Sequence, residues 1–186
     1  MAHRTISDEV FLATALDLFR TYGFEGVSVK RLADATGLEK SSLYHRYPGG
    51  KDEIAMAIAK DVVAWFQANV FEPLTGSGPA RKRVAFVAER LREFYSGGSK
   101  ACLMDVLSIP GASDELQLAL RGAMQAWVSA FEQVAKESGL GSALARSRAE
   151  EAIVRIEGSL ILARVLGDTT RFERVLKSLP DLLTAS

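Results

Sequence analysis

Cysteine is nearly absent from this chain of 186 residues: Cys102 stands alone, so an intrachain disulfide and a cysteine-rich metal site are both excluded, and a reducing compartment is expected. Histidine is almost as scarce, with His3 in the terminal tail and His45 in a polar stretch. A catalytic centre is hard to assemble from that pair. Net charge is missing as well, because lysine plus arginine and aspartate plus glutamate both number 23. A polyanionic partner must therefore meet a local patch rather than the field of the whole molecule. No long apolar run follows a basic start, and no later run approaches bilayer length without interruption. A cytoplasmic protein with no membrane partner is expected. The glycine clusters "GSG" and "GLGS" lack the flanking strand and lysine of a phosphate-cradling loop, and no metal-ligand spacing occurs. No cofactor, no metal site and no enzymatic activity are expected.

Strand-type alternation is lacking too, whereas apolar residues recur at helical spacing almost throughout. The reading is an all-α chain of about nine helices. Thr5 and Ser7 open the first, whose apolar face is Val10, Leu12, Ala15, Leu18 and Phe19, and Gly23 ends it. Ser28 caps a second helix that stops at Gly37, and a third runs from about residue 39 to the break at Pro48-Gly49-Gly50. Lys51 starts a long fourth helix to about Phe71. After the connector "PLTGSGPA", Pro79 suits the start of a fifth, ending at Gly97-Gly98. The sixth, "KACLMDVLSI", ends at Pro110-Gly111, and Ser113 caps a seventh that runs to about Ser138. Ser147 with Glu150, and Thr170 with Glu173, have capping-box spacing and mark two final helices on either side of Gly167.

Four adjacent acidic pairs invite a check for acid–base chemistry. Asp8-Glu9, Asp52-Glu53, Asp114-Glu115 and Glu150-Glu151 each fall in the first turn of an expected helix, where negative charge complements the helix dipole. They are read as helix starts. The second and third helices are more specific. Ala33 is small enough for a close helix crossing, Gly37 permits a left-handed turn four residues later, and Leu38 and Leu43 are apolar anchors. This is the spacing of a helix-turn-helix, whose outer face enters a DNA major groove. Between Ser28 and Lys51, five basic residues (Lys30, Arg31, Lys40, Arg46, Lys51) face two acidic ones (Asp34, Glu39). The local balance is positive, as phosphate binding requires.

The stretch "ALDLFRTYGFEGVSVKRLADATGLEKSSLYHRYPGGKDEI" resembles the N-terminal DNA-binding domain of TetR-family transcriptional regulators. "LYHRYPGGK" and "EGSLILARVLGDTTRFERVL" are similar to the LmrA/YxaF-like subgroup. The one departure is Glu39, where serine often caps the third helix. The resemblance implies a helix-turn-helix domain over residues 1–50 and a ligand-binding and dimerisation domain over 51–186. It also implies that Lys30, Lys40, Ser41 and His45 face base edges, and that Ser28, Ser42, Tyr44, Arg46 and Lys51 hold phosphates. The division follows chemistry, since lysine donates to guanine O6 or N7 and serine donates or accepts, whereas hydroxyls at the rim fix register without reading sequence. Tyr47 is expected to pack beneath the third helix, and Arg4 and Arg20 to be ordinary surface residues.

Residues 152–166, "AIVRIEGSLILARVL", are apolar on more than one face, so this helix must bury one side in its own core and another against a partner. With "TRFERVLKSLPDLL" it forms the four-helix homodimer interface that the resemblance implies; Arg155, Glu157 and Arg164 are read as interface ion pairs or pocket groups, with the interface favoured. Phe86, Phe94, Leu103, Val106, Met124, Trp127 and Phe131 supply an aromatic, methionine-bearing lining for an apolar small-molecule effector. Cys102 is placed with them. A thiol at a helix start beside Lys100 gains thiolate character, opposed by Asp105 one turn on, and an electrophile or oxidant sensor is one alternative. The reading is therefore a homodimeric, effector-responsive repressor that binds a double-stranded DNA operator. A helical protein-interaction adaptor and a small-molecule carrier are the rivals.

Overall fold

The computed structural model of the chain describes residues 6–108 and 113–185. His3, Arg4, Thr5, Pro110 and Gly111, which entered the sequence reading, lie outside them. Among the described residues there are nine helices and no strand. They are α1 Asp8–Gly26, α2 Val29–Thr36, α3 Lys40–Arg46, α4 Lys51–Thr75, α5 Ala80–Phe94, α6 Leu103–Leu107, α7 Asp114–Glu137, α8 Ser142–Leu166 and α9 Thr170–Thr184. Helix α4 is continuous but contains one π-turn, Gln67–Phe71. The side chain of Asn69 donates to the Trp65 carbonyl at 2.9 Å there, serving an acceptor beside the widened turn.

The chain forms two compact units: residues to Val63 with Leu103–Arg121, and Ala64–Cys102 with Gly122 onward. The first half of α4 buries Ile54, Ala55, Ile58, Ala59 and Val62, an apolar stripe that belongs to the first unit's core. Length and mean hydropathy alone would let α4 cross a bilayer, which the sequence reading did not anticipate. Yet exposed Lys60 and Asp61 interrupt it, and Ile54, Ile58, Val62, Phe66, Val70 and Leu74, spaced by four residues, are all buried. That is the stripe of a core helix.

In the first unit, α1 inserts Phe11, Ala15, Phe19 and Phe24, all buried. Full burial of one phenylalanine ring is worth about 1.5–3 kcal/mol. Ser7 caps the helix, its hydroxyl accepting from the Val10 amide, and that register turns Phe11 inward and leaves Val10 exposed. Gly23 ends the regular helix in the left-handed region, φ 69°. Arg20 is not a surface residue: it is buried, because α1 packs against both α2 and α6 and is covered over more than one stripe.

In the second unit, α9 packs against α5 and α8 and buries Phe172, Leu176, Leu179 and Leu183. One expected helix start is displaced. Helix α8 begins at Ser142 behind Gly141, so Ser147 and the pair Glu150-Glu151 lie inside it. Those carboxylates pair along the helix with Arg146 and Arg155, both at 2.6 Å. Arg155 is thereby held within α8. Helix α9 begins at Thr170, where the Asp168 carboxylate accepts from the Thr170 amide at 2.9 Å. Hydrogen bonding to Thr170, first from its side chain and then from its backbone, holds the Asp168 carboxyl below its ordinary range.

Candidate nucleic-acid interface

Helix α2 exists because Ser28 supplies what its first turn lacks. The Ser28 hydroxyl accepts from the Arg31 amide at 3.1 Å, satisfying one of the four open amides of the helix start. At the other end Gly37 adopts φ 67°, and its amide and that of Leu38 both return to the Ala33 carbonyl. This closure stops α2 within one residue and turns the chain into α3. Val29, Leu32 and Ala33 of α2 and Leu43 of α3 are buried, and the hydroxyl of buried Thr36 donates to the Leu32 carbonyl at 2.7 Å. Ser28→Ala is expected to lower stability by about 1 kcal/mol, read as an unchanged-slope shift of the urea midpoint.

Helix α3 has two sides. At roughly 100° per residue, Lys40, Ser41, Tyr44 and His45 share one arc, opposite Leu43 and Arg46. The structure matches this, with the first four exposed, Leu43 buried and Ser42 and Arg46 half-buried. Glu39, at the N-cap, makes no side-chain cap bond and instead accepts from the Ser41 hydroxyl at 3.3 Å. Gly50, at φ 64°, carries no Cβ where one would sit 3.5 Å from the Tyr44 ring.

The cations of this region divide into two groups. Lys30 pairs with Asp34 one turn on at 2.6 Å, with both side chains exposed, a contact worth only a few tenths of a kcal/mol. It is available to another anion at little cost. Among the described residues Lys40 makes no ion pair. Arg46 and Lys51, in contrast, turn back into the unit. Arg46 meets the Asp8 carboxylate at 3.0 Å, and its guanidinium carbon lies 5.8 Å from the Phe11 ring centroid. Lys51 donates to the Phe24 carbonyl at 3.2 Å, approaches Glu25 at 3.5 Å and sits over the Phe24 ring. Both bind α1 to the start and end of the turn after α3.

Tyr47 stacks on Phe11 at 5.3 Å between centroids, as its position beneath α3 requires. Burial and then the Asp8 carboxylate push its phenol up, while Arg46 pulls it down, so it stays neutral. One contributor was counted in the local charge but given no site role of its own. Arg31 is exposed and stacks on Tyr22, 3.9 Å from the ring centroid. A cation–π contact of this kind holds a guanidinium in place without neutralising it. No periodicity signals a pair that meets across the Gly23 turn.

The residues read as an effector lining do not share one unit. Leu103 and Val106 belong to the first, and Phe94, Cys102, Met124, Trp127 and Phe131 to the second. Phe86 is exposed, with the Arg90 guanidinium over its ring. Phe94 joins Trp65, Phe66 and Tyr95 in an aromatic cluster. Cys102 is buried and precedes α6, which is only five residues long. The Tyr95 hydroxyl donates to its Sγ at 3.6 Å. The helix behind the argument for a reactive thiolate is therefore little more than one turn long.

A helix-turn-helix with a polar, lysine-bearing outer face on its second helix defines a DNA-binding regulator. The comparisons agree. Residues 11–58 match the family model for bacterial regulatory proteins of the tetR family, and residues 79–178 match the LmrA/YxaF-like C-terminal domain of transcriptional regulators. The HTH-type transcriptional regulator LmrA of Bacillus subtilis is 24% identical, over 95% of this chain and 96% of the relative. YxaF of the same organism is 25% identical, over 98% of each chain. The crystal structure of a TetR regulator from Legionella pneumophila superposes with a TM-score of 0.84 at 21% identity, covering 98% of this chain and all of that one. The chain belongs to the TetR family of transcriptional regulators, in the branch with an LmrA/YxaF-like C-terminal domain. It is a DNA-binding protein and not an enzyme.

Proposed function

We propose that this regulator acts as a homodimeric repressor, binding a two-fold symmetric operator and releasing it when an uncharged small molecule binds the second unit. The observation that carries the DNA half is the exposed arc of α3. Lys40, Ser41 and His45 on that arc read base edges. Lys30 adds a base-edge contact from α2, Tyr44 with Ser28 and Ser42 positions the helix on phosphates, and Arg31, held by Tyr22, adds a further phosphate contact. Arg46 and Lys51 set the angle of α3 by anchoring its end and the start of α4 to α1. The dimer is supported by an apolar stripe on α8, where Val154, Ile161, Leu162, Val165 and Leu166 are all exposed. Helix α4 runs without a break from the turn after α3 into the aromatic cluster, so a shift at one end reaches the other.

Footprinting on the DNA beside the protein's own gene tests the reading. Protection of a pseudo-palindrome with half-sites about 34–36 Å apart is expected. Protection lacking dyad symmetry would contradict it. Lys40→Ala is expected to weaken operator binding by about 1–3 kcal/mol and relax preference at one base position. Equal weakening on operator and random DNA would reduce Lys40 to a phosphate contact.

A further inference from the structure

We infer that Glu39 is a specificity-determining residue of the DNA face: its carboxylate, with the Ser41 hydroxyl bonded to it, selects the amino group of one cytosine in each half-site. The inference rests on the reading that α3 enters the major groove, and adds to it one residue and one base. Glu39 is the last residue before α3, extended at φ −80° and ψ 146°, and exposed. A residue there ordinarily gives a side-chain oxygen to an open amide of the first turn. Glu39 makes no such bond, and among the described residues it makes no ion pair. Instead its Oε2 accepts from the Ser41 hydroxyl at 3.3 Å. That bond brings the carboxylate onto the arc shared by Lys40, Ser41, Tyr44 and His45. Asp34, the other acid of the stretch, is paired with Lys30.

A carboxylate on a surface that meets DNA is repelled by phosphates whatever the sequence. The repulsion is offset only where a base offers a donor. In the major groove guanine presents the N7 and O6 acceptors and thymine the O4 acceptor, whereas cytosine presents its N4 amino group. Adenine presents an amino group as well, but beside the N7 acceptor, which repels the second carboxylate oxygen. Cytosine is therefore the base that suits Glu39. Ser41 is drawn into the same choice. A free hydroxyl donates or accepts, but the single Ser41 proton is committed to Glu39 Oε2, and its lone pairs are left to accept. The two side chains form an acceptor-only pair next to Lys40, which only donates and suits guanine. Adjacent positions of one short arc thus read bases by opposite rules.

Binding-site selection from random duplexes, with the full-length protein, tests the assignment. The wild type is expected to select cytosine at one position of each half-site, with any other base there weakening binding about tenfold. Glu39→Gln, whose amide both donates and accepts, is expected to move that preference to adenine. Glu39→Ala is expected to lose the preference and to bind random duplex several-fold more tightly, because a repelled charge is gone. Its urea midpoint should stay at the wild-type value, since no cap bond is lost. A 2-pyrimidinone base, which is cytosine without the amino group, should weaken the wild-type complex about tenfold relative to the Glu39→Ala complex. Unchanged base preference in both variants overturns the inference. So does equal tightening on operator and random DNA, the mark of a merely repulsive charge, and so does a lowered urea midpoint with weaker binding to all DNA, the mark of a structural role. Lys40→Ala, run alongside, separates the two readings. Operator binding weakened by Lys40→Ala, with both Glu39 variants selecting as wild type does, upholds the DNA face and defeats the cytosine assignment. Operator binding that survives all three substitutions unchanged defeats both.

Discussion

Val165→Glu is expected to leave the helices intact, convert the dimer to a monomer and lower operator affinity by about a hundredfold or more. Val165 is 72% exposed and Val154 70%, so in a single chain the new carboxylate meets water and disturbs no core. The cost arises on association. Val154, Gly158, Ile161, Leu162 and Val165 recur at three- and four-residue steps along one side of α8, and the open space at Gly158 would let another backbone approach. In a two-fold interface the same patch meets itself, so one substitution buries two carboxylates near each other, each without a partner. The affinity loss follows from linkage. Two half-sites read by one rigid dimer bind far more tightly than either alone, and a monomer falls back towards its sequence-independent phosphate contacts. Light scattering at micromolar concentration gives the mass, and gel shift gives the affinity. A variant that remains dimeric and binds the operator as wild type does would remove this stripe from the interface.

The sequence carried the helix-turn-helix because its determinants are local. Ser28 and Gly37 close the two ends of α2 with their own atoms, and Leu43 and the exposed arc of α3 follow from helical spacing alone. Helix starts that lack a side-chain cap left no such mark. Gly141 precedes α8 without a capping bond, while Ser147-Glu150, at capping-box spacing, sits inside a helix that arginines brace from both sides. Long-range pairing was equally silent. A count of basic residues between Ser28 and Lys51 finds five cations, but cannot find Asp8 and Glu25, which come from α1 and engage Arg46 and Lys51. Arg20 was misplaced for the same reason, since α1, on which it is buried, packs against α6, some eighty residues later in the chain. The aromatic lining was legible as composition and only partly as place. Trp127 and Phe131 are inside, Phe86 is outside, and nothing in their spacing separates these outcomes.

The largest loss of stability in the second unit is expected from Gly98→Ala, about 3 kcal/mol or more, against about 1 kcal/mol for its neighbour Gly97→Ala. Both glycines lie in the left-handed region, φ 98° and 66°, so both variants carry backbone strain. They differ in what the methyl group meets. At Gly97 the nearest atom is the Glu173 carboxylate oxygen at 3.6 Å, ordinary contact at the end of a flexible side chain. At Gly98 it would lie 2.8 Å from Phe172 Cδ1 and 3.0 Å from its Cβ and Cγ. Those atoms are the root of the ring, fully buried and set edge-on to Tyr95 at 5.9 Å, so relief requires α9 itself to move. The turn cannot yield instead, because the amides of Gly98 and Lys100 both donate to the Tyr95 carbonyl, at 3.0 and 3.1 Å. Urea unfolding of the two variants reads the difference, in which the close contact at Gly98 adds to a φ farther from the left-handed well than that of Gly97. Equal midpoints would show that α9 gives way freely at Phe172. The expected separation instead makes this glycine the close-contact point that holds α9 against the turn following α5.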